Sequence, residues 1–313
     1  MLLSYSQRLY PGINKDQFSF TLLDVTDITK LLLTIKSKAY GSDNISVSML
    51  RYCSPHLDQY ITHIINSCLE HNYFPQHWKE SIIRPLAKVS NPKELSDLRP
   101  ISILPAISKI LEKAAHQQII NFLDQYKILS NCQAGFRAGY STSTALGNVV
   151  DDVVKNIDSK ELTALVALDF SKAFDTINHK LLYTKLIFYG FSNSAVDFIK
   201  SYLTGRQQKV HIDDSVSSAE DVTSGVPQGS ILGPLLFILY TNELFNHIKD
   251  CKVQAYADDT QIYLNFKPDR IEEAQNKLNS DLEKINKLSL KHNIKLNPNK
   301  SHLIVFGNRK PTR

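Results

Sequence analysis

The chain has 313 residues, 42% of them hydrophobic and 21% charged, with a formal net charge of +5 at pH 7. That composition excludes a generally disordered chain and supplies a sizeable core for one or two subdomains, while the mild positive balance fits a nucleic-acid partner without requiring one. The cysteines Cys53, Cys68, Cys132 and Cys251 form no C-x-x-C pair, so neither a zinc site nor a disulfide framework is expected and reduced thiols are the default.

Taken in chain order, residues 1–8 lack the apolar core of a signal peptide. Ile28, Leu31, Leu32 and Ile35 recur at helical spacing, a turn follows over residues 41–45, and another helix opens at Ser46. Residues 57–69 form a further amphipathic helix, and Trp78 after Phe74-Pro75 reads as core packing. Residues 81–88 read as a short strand ending in Lys88; after a polar turn comes Asp97-Leu98-Arg99-Pro100. Residues 108–126 are helical, residues 133–141 a glycine-bearing loop, and Ser141 or Thr142 caps a helix that runs to about Asp158. The apolar run from Leu162 to Leu168 has strand length and ends at Asp169, a carboxylate that a buried strand end tolerates only when it is paired or metal-bound.

A helix is expected over residues 170–189. A strand pair, residues 209–212 and 219–223, is expected around Asp213-Asp214, with Arg206 and Lys209 near a nucleic-acid backbone. A Gly/Pro loop around Gln228 opens into an apolar helix over residues 235–248, whose apolar run is too short to span a bilayer. Ile262, Leu264 and Phe266 alternate with Gln261, Tyr263 and Asn265, and Val253 and Tyr256 favour a strand before them. Residues 252–266 therefore read as a β-hairpin with Asp258 and Asp259 at its tip. Two adjacent like charges are costly unless a strong cation neutralises them, and Mg²⁺ takes oxygen ligands of this kind. The plain alternative is a solvated Asp-Asp turn. A long amphipathic helix and a strand over residues 302–306 close the pattern.

Three blocks say more. They are Ala167-Leu168-Asp169-Phe170-Ser171-Lys172-Ala173-Phe174-Asp175, Gly225-Val226-Pro227-Gln228-Gly229-Ser230-Ile231-Leu232-Gly233-Pro234, and Tyr256-Ala257-Asp258-Asp259. In this order they resemble palm motifs A, B and C of reverse transcriptases, in the wording of the non-long-terminal-repeat (LINE-type, jockey-like) retrotransposon branch. Residues 133–141 resemble the family's fingers motif 3, residues 294–301 its motif D, and residues 36–45 its N-terminal fingers extension. The resemblance implies an α+β right-hand polymerase whose antiparallel palm sheet is backed by helices. It assigns residues 1–77 to the N-terminal fingers extension and residues 78–310 to a reverse transcriptase domain of fingers and palm. With the sequence ending just after motif D, it also implies a thumb that is missing, in a fragment of a longer protein or a decayed copy.

The resemblance further implies RNA-directed DNA synthesis from deoxynucleoside triphosphates onto a primer 3′-hydroxyl. Asp169, Asp258 and Asp259 are then catalytic, with Asp169 and Asp258 holding two Mg²⁺ ions and Mn²⁺ as the alternative ion. Lys88 and Arg99 grip the triphosphate, Arg by a fork of donors and Lys as a point charge. Phe170, Gln228, Gly229 and Lys300 complete the substrate side. Phe174, five residues past Asp169, fills the space of a 2′-hydroxyl, the group that tells ribo- from deoxyribo-substrates. Arg137, Tyr140 and Tyr256 contact nucleic acid. The implied partners are an RNA template, a DNA primer and dNTP, with no membrane, in an intracellular and, by the family's habit, nuclear setting. Two other readings stay open: an inactive relic that at most binds nucleic acid, and an RNA-dependent RNA polymerase, which usually has Asp where Phe174 stands.

Overall fold

The computed structural model describes residues 17–307; the N-terminal stretch inspected for a signal peptide lies outside them, as do residues 308–310 of the expected domain. In chain order the elements used below are α1 (Val25–Thr34), α2 (Val47–Tyr52), α3 (Asp58–Glu70), β1 (Glu80–Ala87), β2 (Leu98–Ile103), α4 (Ala106–Gln125), α5 (Thr142–Asp158), β3 (Leu162–Leu168) and β4 (Phe170–Ser171). They continue as α6 (His179–Phe188), α7 (Asn193–Leu203), β5 (Arg206–Ile212), β6 (Ser215–Val216), β7 (Glu220–Val222), α8 (Leu232–Thr241), β8 (Lys252–Tyr256), β9 (Asp259–Phe266), α9 (Ile271–Lys291), β10 (Lys295–Leu296) and β11 (His302–Phe306). The chain is α+β. It forms two compact units, one made of the chain up to Ile128 with His179–Leu236, the other of Leu129–Asn178 with the chain from Phe237 onward.

In the first unit, β1 and β2 form the expected antiparallel hairpin, in register from Ile82↔Ile103 to Ala87↔Leu98. β5 lies parallel to β1, and β6 and β7 pair antiparallel with β5. The helices of this unit bury one face each. Ile28 and Leu32 of α1, Ile61 and Ile65 of α3, and Ile110, Leu111 and Ile119 of α4 are all buried. Ser46 and Ser192 each accept a backbone N–H three residues on, capping α2 and α7.

In the second unit, four antiparallel strands run in the order β11-β3-β9-β8. One face of β3 and β9 (Ala164, Val166, Leu168, Ile262, Leu264) packs on Ala274, Leu278 and Ile285 of α9. On the other, Leu165 and Tyr263 pack on Val149 and Val153 of α5. Burial on both faces explains why β3 is a continuous apolar run instead of an alternating one.

Two expected helices are shorter than their apolar patterns suggest. The helix expected from Phe170 begins only at His179. Phe170 and Ser171 instead pair antiparallel with Leu296 and Lys295, Lys172 takes a φ of +48°, and the Asp175 N–H closes a turn onto the Lys172 carbonyl. The backbone groups that a helix would need are already engaged by β10. The helix expected to reach residue 248 ends at Thr241, where bonds from Leu244 to Thr241 and from Asn246 to Glu243 replace the α-helical pattern.

Candidate active site

Asp169 directly follows β3. The last β3–β9 pair is Leu168↔Thr260, so the next residue of each strand is Asp169 on one and Asp259 on the other. Neighbouring strands lie about 4.8 Å apart, and this register sets Asp169 abreast of the β8–β9 turn. Tyr256↔Asp259 is the final pair of that hairpin, leaving Ala257-Asp258 as a two-residue turn with Ala257 at a φ of +59°. Positive φ at the first turn position with an ordinary second residue is the II′ geometry that suits the strand twist. Asp169 and Asp258 are half-buried, Asp259 is exposed, and Tyr256 is half-buried.

A non-glycine residue at positive φ is strained by the order of 1 kcal/mol and persists where its surroundings hold it. Here the brace is Gln133, 3% exposed. Its Oε1 accepts the Ala257 N–H at 2.9 Å and the Gly135 N–H at 2.7 Å, and its Nε2 donates to the Ala257 carbonyl at 3.1 Å. The same segment runs along the free edge of β8. The Ala134 N–H donates to the Ala255 carbonyl at 2.8 Å and the Ala255 N–H to the Cys132 carbonyl at 2.7 Å. A Cβ on Gly135 would stand 2.1 Å from the Ala257 nitrogen, so only glycine lets this loop come so close. Sequence reasoning missed Gln133; the signal was a Gln-x-Gly pair, read only for its glycine.

Asp169 is gripped from the other side as well. Between the pairs Phe170↔Leu296 and Ala167↔His302, residues 297–301 loop out opposite Leu168 and Asp169. The Asn297 N–H donates to the Asp169 carbonyl at 2.8 Å, and the Asp169 N–H reaches Ser301 Oγ at 3.4 Å. Lys300, exposed, sits on this loop between those two contacts. Phe170 is buried. Phe174 is half-buried, stacked on Phe237 at 4.5 Å and set edge-on to Phe136 at 6.2 Å. Arg137 ties its own loop, donating to the Ser130 and Gln133 carbonyls at 3.0 and 3.1 Å, and stacks over the exposed Tyr140 ring at 4.7 Å.

Among the described residues, no group of three or more His, Cys, Asp or Glu side chains is close enough to form a metal cage by itself. Mg²⁺ is usually held by one or two carboxylates together with substrate phosphates and keeps several waters. The donor set of Asp169 with the Asp258-Asp259 turn, all oxygen ligands, meets that chemistry.

The remaining expected residues lie in the first unit. Lys88 is exposed beyond β1, its Nζ donating to the Ser96 carbonyl at 2.9 Å across the hairpin tip. Arg99 is exposed opposite Leu86, and Arg84, opposite Ile101, lies on the same face two residues along. Sequence reading did not single out Arg84. The motif B loop meets this hairpin. The Ser102 N–H donates to the Gln228 carbonyl at 2.6 Å, and a Cβ on Gly229, at a φ of +111°, would come 2.7 Å from the Ser102 carbonyl and 3.3 Å from the Ile101 side chain. The His179 ring approaches the Gly225 carbonyl at 2.7 Å.

Beneath the loop lies Glu112, fully buried, whose Oε2 accepts the Ile231 and Leu232 N–H groups at 2.7 and 3.1 Å and the Tyr202 hydroxyl at 3.3 Å. Burial pushes its carboxyl above the usual range, against those donors and the Arg206 charge. The signal for Glu112 was present, since helical spacing puts it on the apolar stripe with Ala115 and Ile119. Arg206 is not open to a nucleic-acid backbone as expected. Arg206 is 3% exposed, donates to the Tyr202 carbonyl at 2.7 Å and stacks on Tyr202, while Lys209 pairs with Glu80 at 2.9 Å. The aromatic packing of Phe74 and Tyr202 draws Arg206 inward, while Lys209 stays half-exposed.

No helix among the described residues is long and apolar enough to cross a membrane. Residues 89–312 match the family described as reverse transcriptase (RNA-dependent DNA polymerase). The chain is 31% identical over 281 residues to a probable RNA-directed DNA polymerase from transposon X-element of Drosophila melanogaster, covering 88% of this chain and 31% of that protein. It is 30% identical over 305 residues to the RNA-directed DNA polymerase from mobile element jockey of the same species, covering 94% of this chain and 33% of that protein. The chain thus spans about a third of the length of the curated relatives it matches. The palm-like carboxylate pair, the ordered motif blocks and these matches agree: the chain belongs to the reverse transcriptase family, on its non-long-terminal-repeat retrotransposon branch.

Proposed function

We propose that this chain forms the fingers and palm of an RNA-directed DNA polymerase that extends a DNA primer on an RNA template from dNTP. The observation that carries the reading is the β3–β9 register, which brings Asp169 beside Asp258 and Asp259. Asp169 and Asp258 would hold the divalent cations, and Asp259 adds charge at their edge. Divalent ions held there neutralise the triphosphate and lower the pKa of the attacking 3′-hydroxyl. The protein's own part is positioning, on which phosphoryl transfer largely depends. Arg99 and Lys88 bind triphosphate oxygens, Gln228 and Gly229 border the nascent base pair, and Phe170 supports the site through its main chain. Lys300, on the loop bonded to the Asp169 backbone, brings a cation and a proton donor to the leaving pyrophosphate. Arg137, Tyr140 and Tyr256 contact the strands.

The test is primer extension by the purified chain on an RNA template with a DNA primer. Incorporation of dNTP that follows the template and stops on chelation is expected. Absence of incorporation, or incorporation indifferent to template sequence, would contradict the proposal.

Phe174 is read as the sugar gate, held between Phe136 and Phe237. Phe174→Val should raise ribonucleotide use relative to dNTP by about 10- to 100-fold, the scale of discrimination that a trimmed apolar contact provides. An unchanged dNTP/rNTP ratio in an active variant would remove Phe174 from this role. Gln133→Ala should leave the Ala257 N–H and carbonyl unpaired. We expect a stability loss of about 1–3 kcal/mol and a kcat lowered about 10-fold or more with KM for dNTP nearly constant. Equal kcat at a lowered melting temperature would make Gln133 structural only.

A further inference from the structure

The first unit contains an open cavity of about 290 Å³ whose walls include Lys36 and Ser37 beyond α1, Lys109 and Lys113 of α4, and Gly229 and Ile231 of the motif B block. Its charged lining is all cationic. Lys109 and Lys113 stand one turn apart on one helix face. Lys109 is 5% exposed, yet its ammonium, which carries three donors, has Ser37 Oγ at 2.7 Å as its hydrogen-bond partner. Among the described residues, none of the three lysines has a carboxylate within ion-pair distance. Two acids act on Lys109 without pairing with it, and among the described residues Glu112 Oε1 is buried with no hydrogen-bond partner of its own. Glu112 Oε2 accepts from Ile231 and Leu232, and Asp43 accepts from the Ile45 N–H. Both still act on Lys109 through space, and burial nonetheless holds its ammonium below the usual lysine range.

A buried ammonium without a carboxylate partner is costly. A fold retains such an arrangement where an anion completes it. The lining has point charges and hydroxyls but no aromatic face on which a base could stack, so the anion to expect is a phosphate and not a base-bearing group. We propose that this cavity is a phosphate site that takes a backbone phosphodiester of an RNA strand. Reading the phosphate as part of a strand rests on the assignment of the chain as an RNA-directed polymerase.

Fluorescence anisotropy of a labelled single-stranded RNA, measured across a salt series without dNTP, tests this independently of catalysis. The variants are Lys36→Gln with Lys113→Gln, at exposed and half-buried positions where folding is retained, and separately Lys109→Met, which keeps the side-chain length. For the paired substitution we expect affinity at low salt to fall several-fold. The slope of log K against log salt should flatten by about 0.7, the value of one strand phosphate. Lys109→Met should weaken RNA binding while raising the melting temperature, since it removes a buried charge. RNA affinity and slope unchanged in all variants, with weakened pyrophosphate binding by calorimetry, would overturn the strand assignment in favour of a free phosphate. No change for either ligand would overturn the site altogether. A flattened slope in a chain that incorporates no dNTP would uphold the phosphate site while removing the polymerase reading.

Discussion

Asp169→Asn and Asp258→Asn are each expected to lower templated dNTP incorporation by about 10³-fold or more with the fold intact. The substitution keeps the shape of the side chain and removes only its charge and one acceptor oxygen. Asp169 ends a strand that is hydrogen-bonded on both sides, so its position is fixed by backbone and not by the carboxylate. The melting temperature should therefore hold in the absence of divalent ions, while the ability of Mg²⁺ to raise it should be lost. Asp259→Asn should cost less, because Asp259 is exposed and stands in a strand pair instead of the turn. An active Asp169→Asn protein would show that the β3 terminus is not the reacting centre.

The second large effect concerns stability. Glu112→Ala should destabilise the first unit by about 3–5 kcal/mol, because it orphans the Ile231 and Leu232 N–H groups together. Glu112→Gln should cost much less, since its carbonyl can still accept those two N–H groups. The pH dependence separates its charge from its hydrogen bonding. Burial raises the Glu112 pKa in the folded chain above its value of 4.5 in the unfolded one, so the folded state holds its proton to higher pH. Its contribution to stability is then greatest below that unfolded value and declines as pH rises through the folded pKa. Glu112→Gln should flatten this decline in urea-unfolding midpoints measured from pH 4 upward. A decline of equal size in the variant would assign it to other groups.

How much of this was legible beforehand follows from where the information lies. The strand before Asp169 and the hairpin of Asp258-Asp259 were readable from an apolar run and an alternating one, but β9 is not the half-buried strand its alternation suggests: Tyr263, expected on the open face, is buried because α5 covers that side. The β1–β2 hairpin was readable from a strand followed by a polar turn. The stretch after Asp169 misled because the helix was expected to start directly at the strand's end, whereas pairing of Phe170 and Ser171 with β10 is a long-range event that no local pattern records. Arg206 looked like a surface cation, and its burial depends on Tyr202 and Phe74 from other segments. Gln133 was the deepest omission. Its partner Ala257 lies 124 residues away, so only the folded chain shows that a motif read for template contact also clamps the catalytic turn.

Iron-directed cleavage locates the metal centre most directly. The chain, with primer, RNA template and dNTP bound, is given Fe²⁺ in place of Mg²⁺ and treated with ascorbate and peroxide, and the backbone cuts are mapped by mass spectrometry. Cuts should cluster at residues 168–170 and 256–260, vanish with excess Mg²⁺ and be suppressed in Asp258→Asn. Cuts elsewhere, or a pattern that Asp258→Asn leaves unchanged, would contradict a metal site built on Asp169 and the β8–β9 turn.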